Sequence, residues 1–559
     1  MRQMKNKKER GITLIALVVT IIVLIILAGI SINLIFGTNG IINKAKDAKI
    51  KTDIASIKEN IQMEILGKQA ENNGNISDDS LKEILEKYGT LSEEEKLTDK
   101  TLTTTKGNYE IKVSDIFNGT TVKDDIDRPT FTTVANAPDI SGFNKDNTYY
   151  VSWDLTNSPY QIDEATNLNG IAPSNWYDYT EGVNHWANIK TTGGENDCYW
   201  VWIPRYAYQV PTKSGTAQTI NIKFLKEDTN IPIGETQAIT NTIPTEGSWV
   251  VHPAFTNAGN GGFGELKGIW IAKYEASSNS SSVVENPTSE QLAIDGGSDN
   301  DTDLKVRVKP NVTSWRGITV NNIFTVCRNL TETGNSLENT SNLNSHMMKN
   351  TEWGACAYLS RSVYGKNGEV WNNPYNNNTT NCSPITGLCG NKTNGKDNFT
   401  TNMSNTVKYN EIGGGNASTT GNVYGIYDMA GGAWEYVAGI YKGTTSDNLG
   451  NDTNRSNLWD SNNLKYVDQY TETTGSQSTY YGNTDKYGDA VYETSSSGNS
   501  YAGSWDSSYS YFLNSSTPVF GRGAPAYNGS YAGVFAFSDG TGAAFTGNSF
   551  RPVVLSFKS

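Results

Sequence analysis

The stretch from Phe520 to Ser559 leaves the chain little freedom. It alternates two short apolar blocks, Val534-Phe535-Ala536-Phe537 and Phe550-Arg551-Pro552-Val553-Val554-Leu555, with segments of small, polar and tyrosine residues. Apolar blocks of this length, bounded by Gly, Ser and Asn, read as buried strands. Between and before them stand Ala524, Ala526, Tyr527, Ser530, Tyr531, Ser538, Asp539, Thr541, Ala543, Ala544 and Thr546. None of these carries reactive chemistry of its own. Tyrosine supplies large, rigid contact area at low entropy cost, and Ser, Gly and Asn supply adaptable hydrogen bonding. The segment therefore reads as a strand scaffold that holds a contact surface.

The chain of 559 residues is too long for one compact core and long enough for a large domain with appendages. Its net charge of −13 argues against a nucleic-acid partner, which requires a basic face. Only 18% of residues are charged, while Gly numbers 54 and Tyr 30, which excludes long acidic disorder and points to a polar, loop-rich, aromatic-studded domain. Of the five cysteines, only Cys382 and Cys389 lie close together, in CSPITGLC. A disulfide between them would close a short loop and suit an oxidising exterior, and two free thiols are the alternative. Cys327 and Cys356 sit among apolar residues and read as small core hydrophobes. His185, His252 and His346 are widely spaced, and no metal site is expected.

The N-terminus is basic through residue 11, MRQMKNKKERG, and apolar from Ile12 to Phe36. As a helix that run would be about 37 Å long, enough to cross a bilayer. The Lys/Arg cluster before it would stay cytoplasmic, giving a single-pass cell-membrane protein with everything after residue 36 outside. Residues 37–127 then read as a helical stalk and linker. Ile50, Ile54, Ile57, Ile61 and Ile65 share one helical face, Asp78-Asp79-Ser80 starts a short helix through Tyr88, and Tyr109 to Val113 reads as a strand. Arg128-Pro129 marks a boundary, and residues 128–559 form the head. There Tyr199–Ile203 and Gly268–Ile271 read as buried strands, and Asn322–Asn329 and Thr351–Ser362 as helices. Residues 372–420 read as a long surface insertion, and residues 443–518 have the same character. Trp202, Trp353, Trp434 and Phe537, bordered by apolar residues, are expected in the core. Arg551 is suited to a buried ion pair, with Glu435 and Asp428 as candidate partners.

The junction ERG/ITLIALVVTIIVLIILAGISI resembles the type IV prepilin signal. That resemblance implies cleavage after Gly11 by a prepilin peptidase, Ile12 as the new N-terminus, and other pilins as partners within a surface pilus. Ala16 stands where that family has a glutamate. Further on, GNVYGIYDMAGGAWEYV (Gly421 to Val437), IWIAKYEAS (Ile269 to Ser277), Thr351-Glu352-Trp353 and Ser549-Phe550-Arg551-Pro552 resemble, in order, motifs of the formylglycine-generating (sulfatase-modifying) family. The resemblance implies an α+β, C-type-lectin-like domain with much irregular structure, following the long N-terminal helix. The family's chemistry does not transfer, because Gly521 to Ser549 contains no cysteine for a thiolate or copper-thiolate site. No catalytic residue is expected, and an oxidase would have to assemble its thiols or imidazoles from distant segments. The family's calcium-associated Asn is Gly432 here, so no cofactor is expected; Asp428 and Glu435 remain to serve either a cation or loop hydrogen bonds.

Arg522-Gly523, Asn528-Gly529, Ala532-Gly533-Val534-Phe535-Ala536-Phe537 and Phe550-Arg551-Pro552 are similar to the variable region of diversity-generating retroelement target proteins. In that family the positions between the fixed blocks are rewritten by adenine-directed mutagenesis and bind ligand. The resemblance implies a variable region over about residues 520–555, with the contact residues named above. The functional expectation is a surface-displayed, non-catalytic receptor or adhesin for a protein or glycan; a minor pilin that only builds or caps a filament is the alternative.

Overall fold

The computed structural model describes residues 78–93, 100–113, 116 and 134–557, and part of the stretch 49–68. Within these it leaves out 194–195, 213–215, 280–301, 375–384, 391–405, 444–448, 472–485, 496–502 and a few single positions. The chain divides into two compact units, Met1–Thr130 and Phe131–Ser559.

In the first unit, α1 (Asp78–Tyr88) runs directly into β1 (Gly89–Leu91), which pairs antiparallel with β2 (Thr101–Thr104), itself paired with β3 (Glu110–Lys112). Ile84 and Leu85 of α1 join Ile61, Ile65, Leu102, Ile111 and Val113 in a small core, against which Ile54 and Ile57 pack. The three- and four-residue spacing thus buries one helical face from Ile54 to Ile65, while Ile50 stays exposed.

The second unit uses β4 (Thr148–Asp154), β5 (Gln161–Asp163), β6 (Asn188–Thr191), β7 (Cys198–Pro204), β8 (Gly268–Ala272), β9 (Leu343–Met347), β10 (Trp434–Tyr441), β11 (Asp468–Tyr470), β12 (Val519–Arg522), β13 (Phe537–Gly540), β14 (Asn548–Phe550) and β15 (Pro552–Ser556). Seven of them form an antiparallel sheet in the order β9-β15-β8-β7-β6-β4-β5. A second sheet runs β11-β10-β12-β13, with β14 added parallel to β10. The central strands β7 and β8 are almost wholly buried, which is why CYWVWIP and GIWIA read as continuous apolar runs and not as alternation. Helix α2 (Val320–Arg328) is amphipathic; α3 (Asn350–Ser360) is buried along its whole length. Small residues in TEWGACAYL let other chain segments approach α3 closely: a Cβ on Gly354 would lie 1.9 Å from the Gly488 carbonyl oxygen.

Three expectations are corrected. The described residues form mostly short strands and loops, the helices described end to end are no longer than 11 residues, and a long N-terminal helix is not seen. Short apolar runs such as those of β7 and β8 end at Pro204 and at the polar Lys273, which keeps these strands short. The single-pass membrane placement is corrected to what is described: among the described residues no helix is long and apolar enough to cross a membrane, and Gly11, Ile12 and the run to Phe36 lie outside the described residues. Finally, the described parts of 372–420 and 443–518 are not peripheral. Ile385, Leu388, Cys389, Ala417, Tyr466, Tyr470, Trp505, Phe512 and Leu513 are all buried.

Candidate functional site

Strands β12 and β13 pair in the register Gly521↔Ser538 and Val519↔Gly540, next to β10. Their glycines make room for rings: a Cβ on Gly521 would meet the Trp434 indole at 3.5 Å, and one on Gly540 would meet Tyr436 at 2.8 Å. Trp434 and Tyr436 are two apart on β10, so they share the sheet face with Ser538. Trp434 is only half-buried, with its ring edge-on to half-buried Tyr509 at 5.5 Å and 74°. The Tyr509 amide donates to the carbonyl of exposed Tyr531 (2.8 Å), and the Trp434 amide to the Gly547 carbonyl (2.9 Å). The exposed ring of Phe545 lies beside Gly547, where a Cβ would come within 2.9 Å of it. Trp434 and Tyr509 are thus in ring contact, and backbone hydrogen bonds tie to them the segments that carry the exposed rings of Tyr531 and Phe545.

The predicted contact residues divide into groups. Ser530, Tyr531, Thr541 and Ala544 are exposed, and Ser538, Asp539, Ala543 and Thr546 are half-buried. Asp539 is committed to the scaffold, accepting from the Thr517 hydroxyl and from Asn514 Nδ2. Tyr527 lies within the helical turn Ala526–Tyr531, and its side chain falls outside the described residues. Ala524 and Ala526 are fully buried and offer no contact surface. Ala524 packs with Ala532 and Ala536 under Trp434 and Tyr509, and its backbone sits at φ +58°. A larger side chain there has no room. The block Val534–Phe537 is buried as expected, but only Phe537 is strand; Val534 and Phe535 form a turn.

The loop from Thr541 to Gly547 is held through its carbonyls. Thr541 O accepts from Arg455 Nη1 (2.7 Å), Gly542 O from the Val320 amide (2.9 Å) and Ala543 O from the Tyr436 hydroxyl (3.3 Å). Phe545 O accepts from the Gly317 amide (3.1 Å), Thr546 O from Arg316 Nη1 (2.7 Å) and Gly547 O from the Trp434 amide. Val320 is the first residue of α2, where an amide has no partner within the helix, so Gly542 O caps it. Gly542 itself has φ +83°, and a Cβ would sit 3.2 Å from Arg455 Cβ. Gly542→Ala should therefore lower stability by roughly 1–3 kcal/mol, measured by thermal unfolding.

Behind this surface lies a buried polar cluster. Arg551, between β14 and β15, forms a two-pronged ion pair with Glu435 (Nη2–Oε1 2.6 Å, Nε–Oε2 3.0 Å) and donates to the carbonyls of Ala272 and Tyr427. Asp428 accepts from the Gly387 amide (2.9 Å), Asn373 Nδ2 (2.9 Å) and the Glu275 amide (3.3 Å). Burial, then the charges of Glu435 and Asp428, raise the Glu275 carboxyl well above its usual range. The oxygens of Asp428 and Glu435 are thus taken up by backbone, amide and guanidinium donors; this arrangement does not fit a calcium ion. Among the described residues no group of three His, Cys, Asp or Glu side chains could hold a metal.

The cysteines are core residues. Cys198, Cys327, Cys356 and Cys389 are buried free thiols, and burial pushes the Cys389 thiol up to about 12. Cys382 lies outside the described residues. Trp202, Trp353 and Phe537 are buried as expected; Trp434, expected beside them, faces the surface. Phe545, Tyr509 and Trp434 are the surface aromatics that sequence reasoning missed. The one available signal was Phe545 itself, a lone aromatic among Gly, Ala and Thr. A scan against protein-family models found no match to this chain, and a search of curated proteins found none either.

Proposed function

We propose that this chain is a non-catalytic binding protein whose C-terminal segment meets a protein or glycan ligand. The observation that carries this reading is the half-buried Trp434–Tyr509 ring pair, hydrogen-bonded through its backbone to the segments bearing exposed Tyr531 and Phe545 and accompanied by exposed Ser530, Thr541 and Ala544. Rigid aromatic anchors with small hydroxylic neighbours are the composition of a recognition surface. The similarity of the tail to retroelement-diversified variable regions supports the same assignment, with Ser530, Tyr531, Thr541, Ala544 and Thr546 as the exchangeable contacts. The thiols of Cys356 and Cys389 are buried and hard to ionise, which favours recognition over catalysis.

The test is to probe purified full-length chain on glycan and protein arrays and to titrate any captured ligand against Tyr531→Ala and Phe545→Ala. Each variant should weaken binding about 10- to 30-fold, the loss of an aromatic anchor worth roughly 2 kcal/mol. Unchanged affinity in both variants rejects the placement. Diversification has its own test in the surrounding DNA: a near-copy of the codons for residues 520–559, differing at adenines and beside a reverse transcriptase, is expected.

A further inference from the structure

We infer that Arg455 and Arg316 are positioning residues that fix the path of the loop 541–547 independently of its side chains. This deepens the reading above, in which that loop contacts ligand. Of the carbonyls from Thr541 to Gly547, every one except that of Ala544 accepts a hydrogen bond from Arg455, Arg316, Tyr436 or the amides of Val320, Gly317 and Trp434, and none of those donors is a side chain of the loop. The one bond made by a loop side chain is the acceptance of the Ala543 amide by the Thr541 hydroxyl, at 3.3 Å. A loop held this way keeps its course when Ala544 or Thr546 is exchanged.

Both arginines lie near the N-terminal end of α2, where the Asn321 amide donates to the carbonyl of Asn454, the residue before Arg455. Arg316 precedes that helix, is fully buried, and donates Nη1 to Thr546 O. Arg455 lies in the segment that follows the described residues Leu449–Asn451 and is itself anchored. Its Nε donates to Leu449 O (3.1 Å), and Asp452 pairs with its Nη1 at 3.1 Å, while the same Nη1 reaches Thr541 O. A planar fork held at Leu449 and Asp452 presents its remaining reach at a fixed place, which a flexible ammonium cannot do. Between the arginines, the amides of Gly317 and Val320 and the Tyr436 hydroxyl take the carbonyls of Phe545, Gly542 and Ala543. The cradle is complete before any loop side chain is specified, so side-chain exchange changes what a partner meets and leaves the backbone in place.

The Gly317 and Val320 amides report directly on this docking, because their acceptors are the loop carbonyls. Amide hydrogen exchange of the full chain, without ligand, tests the inference separately from the functional reading. In the variant Thr541→Ser/Ala544→Ser/Thr546→Ser, exchange at Gly317 and Val320 should stay within about threefold of the parent. In Arg455→Met it should rise about tenfold or more at both, with the amides of β7 unchanged. Should Arg455→Met expose β7 as well, Arg455→Lys replaces it: the charge is kept, the fork is lost, and a rise confined to Gly317 and Val320 is expected. An arginine variant that folds and leaves these amides as protected as in the parent overturns the inference. So does a serine-substituted loop that releases them as fully as the loss of Arg455.

Discussion

Arg551→Met is expected to lower the stability of the Phe131–Ser559 unit by roughly 3–5 kcal/mol, the usual result of removing one partner from a buried ion pair. The pair itself is weak evidence of net stabilisation, since desolvating Arg551 and Glu435 offsets much of their attraction. Breaking it is different. Glu435 loses both prongs of its partner, and Asp428 and Glu275 lose the one guanidinium they surround. The carbonyls of Ala272 and Tyr427 lose their donor as well. The consequence is architectural because Arg551 stands where the chain leaves β14, paired with β10, and enters β15, paired with β8 and β9. It pins the junction of the two sheets. The deficit should shrink at acidic pH, where the stranded carboxylates take up protons, and Arg551→Lys should fall between parent and Arg551→Met. Denaturant unfolding at pH 5 and pH 8 reads all of this. A loss under about 1 kcal/mol at pH 8 would show that the neighbouring donors replace Arg551.

Part of this site is legible in the sequence. Arg551 follows Phe550 and precedes Pro552, and a guanidinium set in an apolar run has to find an acceptor indoors; Glu435 and Asp428 were the available carboxylates, and Glu435 is the partner. The helices Asp78–Tyr88 and Val320–Arg328 and the strands β7, β8 and β15 follow from periodicity and breakers. Helix α3 lies near its expected place, yet its full burial does not show as an amphipathic stripe, because a helix covered on all sides has none. The segment 443–518 was harder. Its buried residues are single aromatics, such as Tyr470, Trp505 and Phe512, separated by polar residues whose burial depends on partners far along the chain. Asp468, for instance, is buried because it accepts from the amide and hydroxyl of Thr351 at the start of α3. Composition cannot distinguish such a residue from a solvated loop residue. The inward turn of Ala524 and Ala526 was hidden for a related reason: an alanine reads alike in a contact loop and in a tight packing layer.

Glu493→Gln is expected to remove a pH dependence of about 3 kcal/mol. Glu493 is buried among the hydroxyls of Tyr208 (2.6 Å) and Tyr358 and the Gly488 amide (2.8 Å). Burial raises its pKa to about 7 from an ordinary 4.5, while the two tyrosines and the amide pull it back only in part and the nearby Asp489 charge adds to the rise. The folded carboxyl therefore holds its proton up to about pH 7, whereas the unfolded one releases it near 4.5. Between those values the native state binds more protons, so stability falls as pH rises. The stabilisation is fully present below pH 4.5 and lost above pH 7, and the gap corresponds to about 3 kcal/mol. Glutamine keeps the shape, is neutral throughout, and can still accept from one tyrosine while donating to the other. Between pH 5 and pH 8 the parent should lose more stability than Glu493→Gln, by most of that amount. At pH 8 the variant should be the more stable of the two, although it lacks a charge that accepts from three donors. Equal slopes for parent and variant would mean that Glu493 is ionised across this range, its three donors outweighing the loss of water.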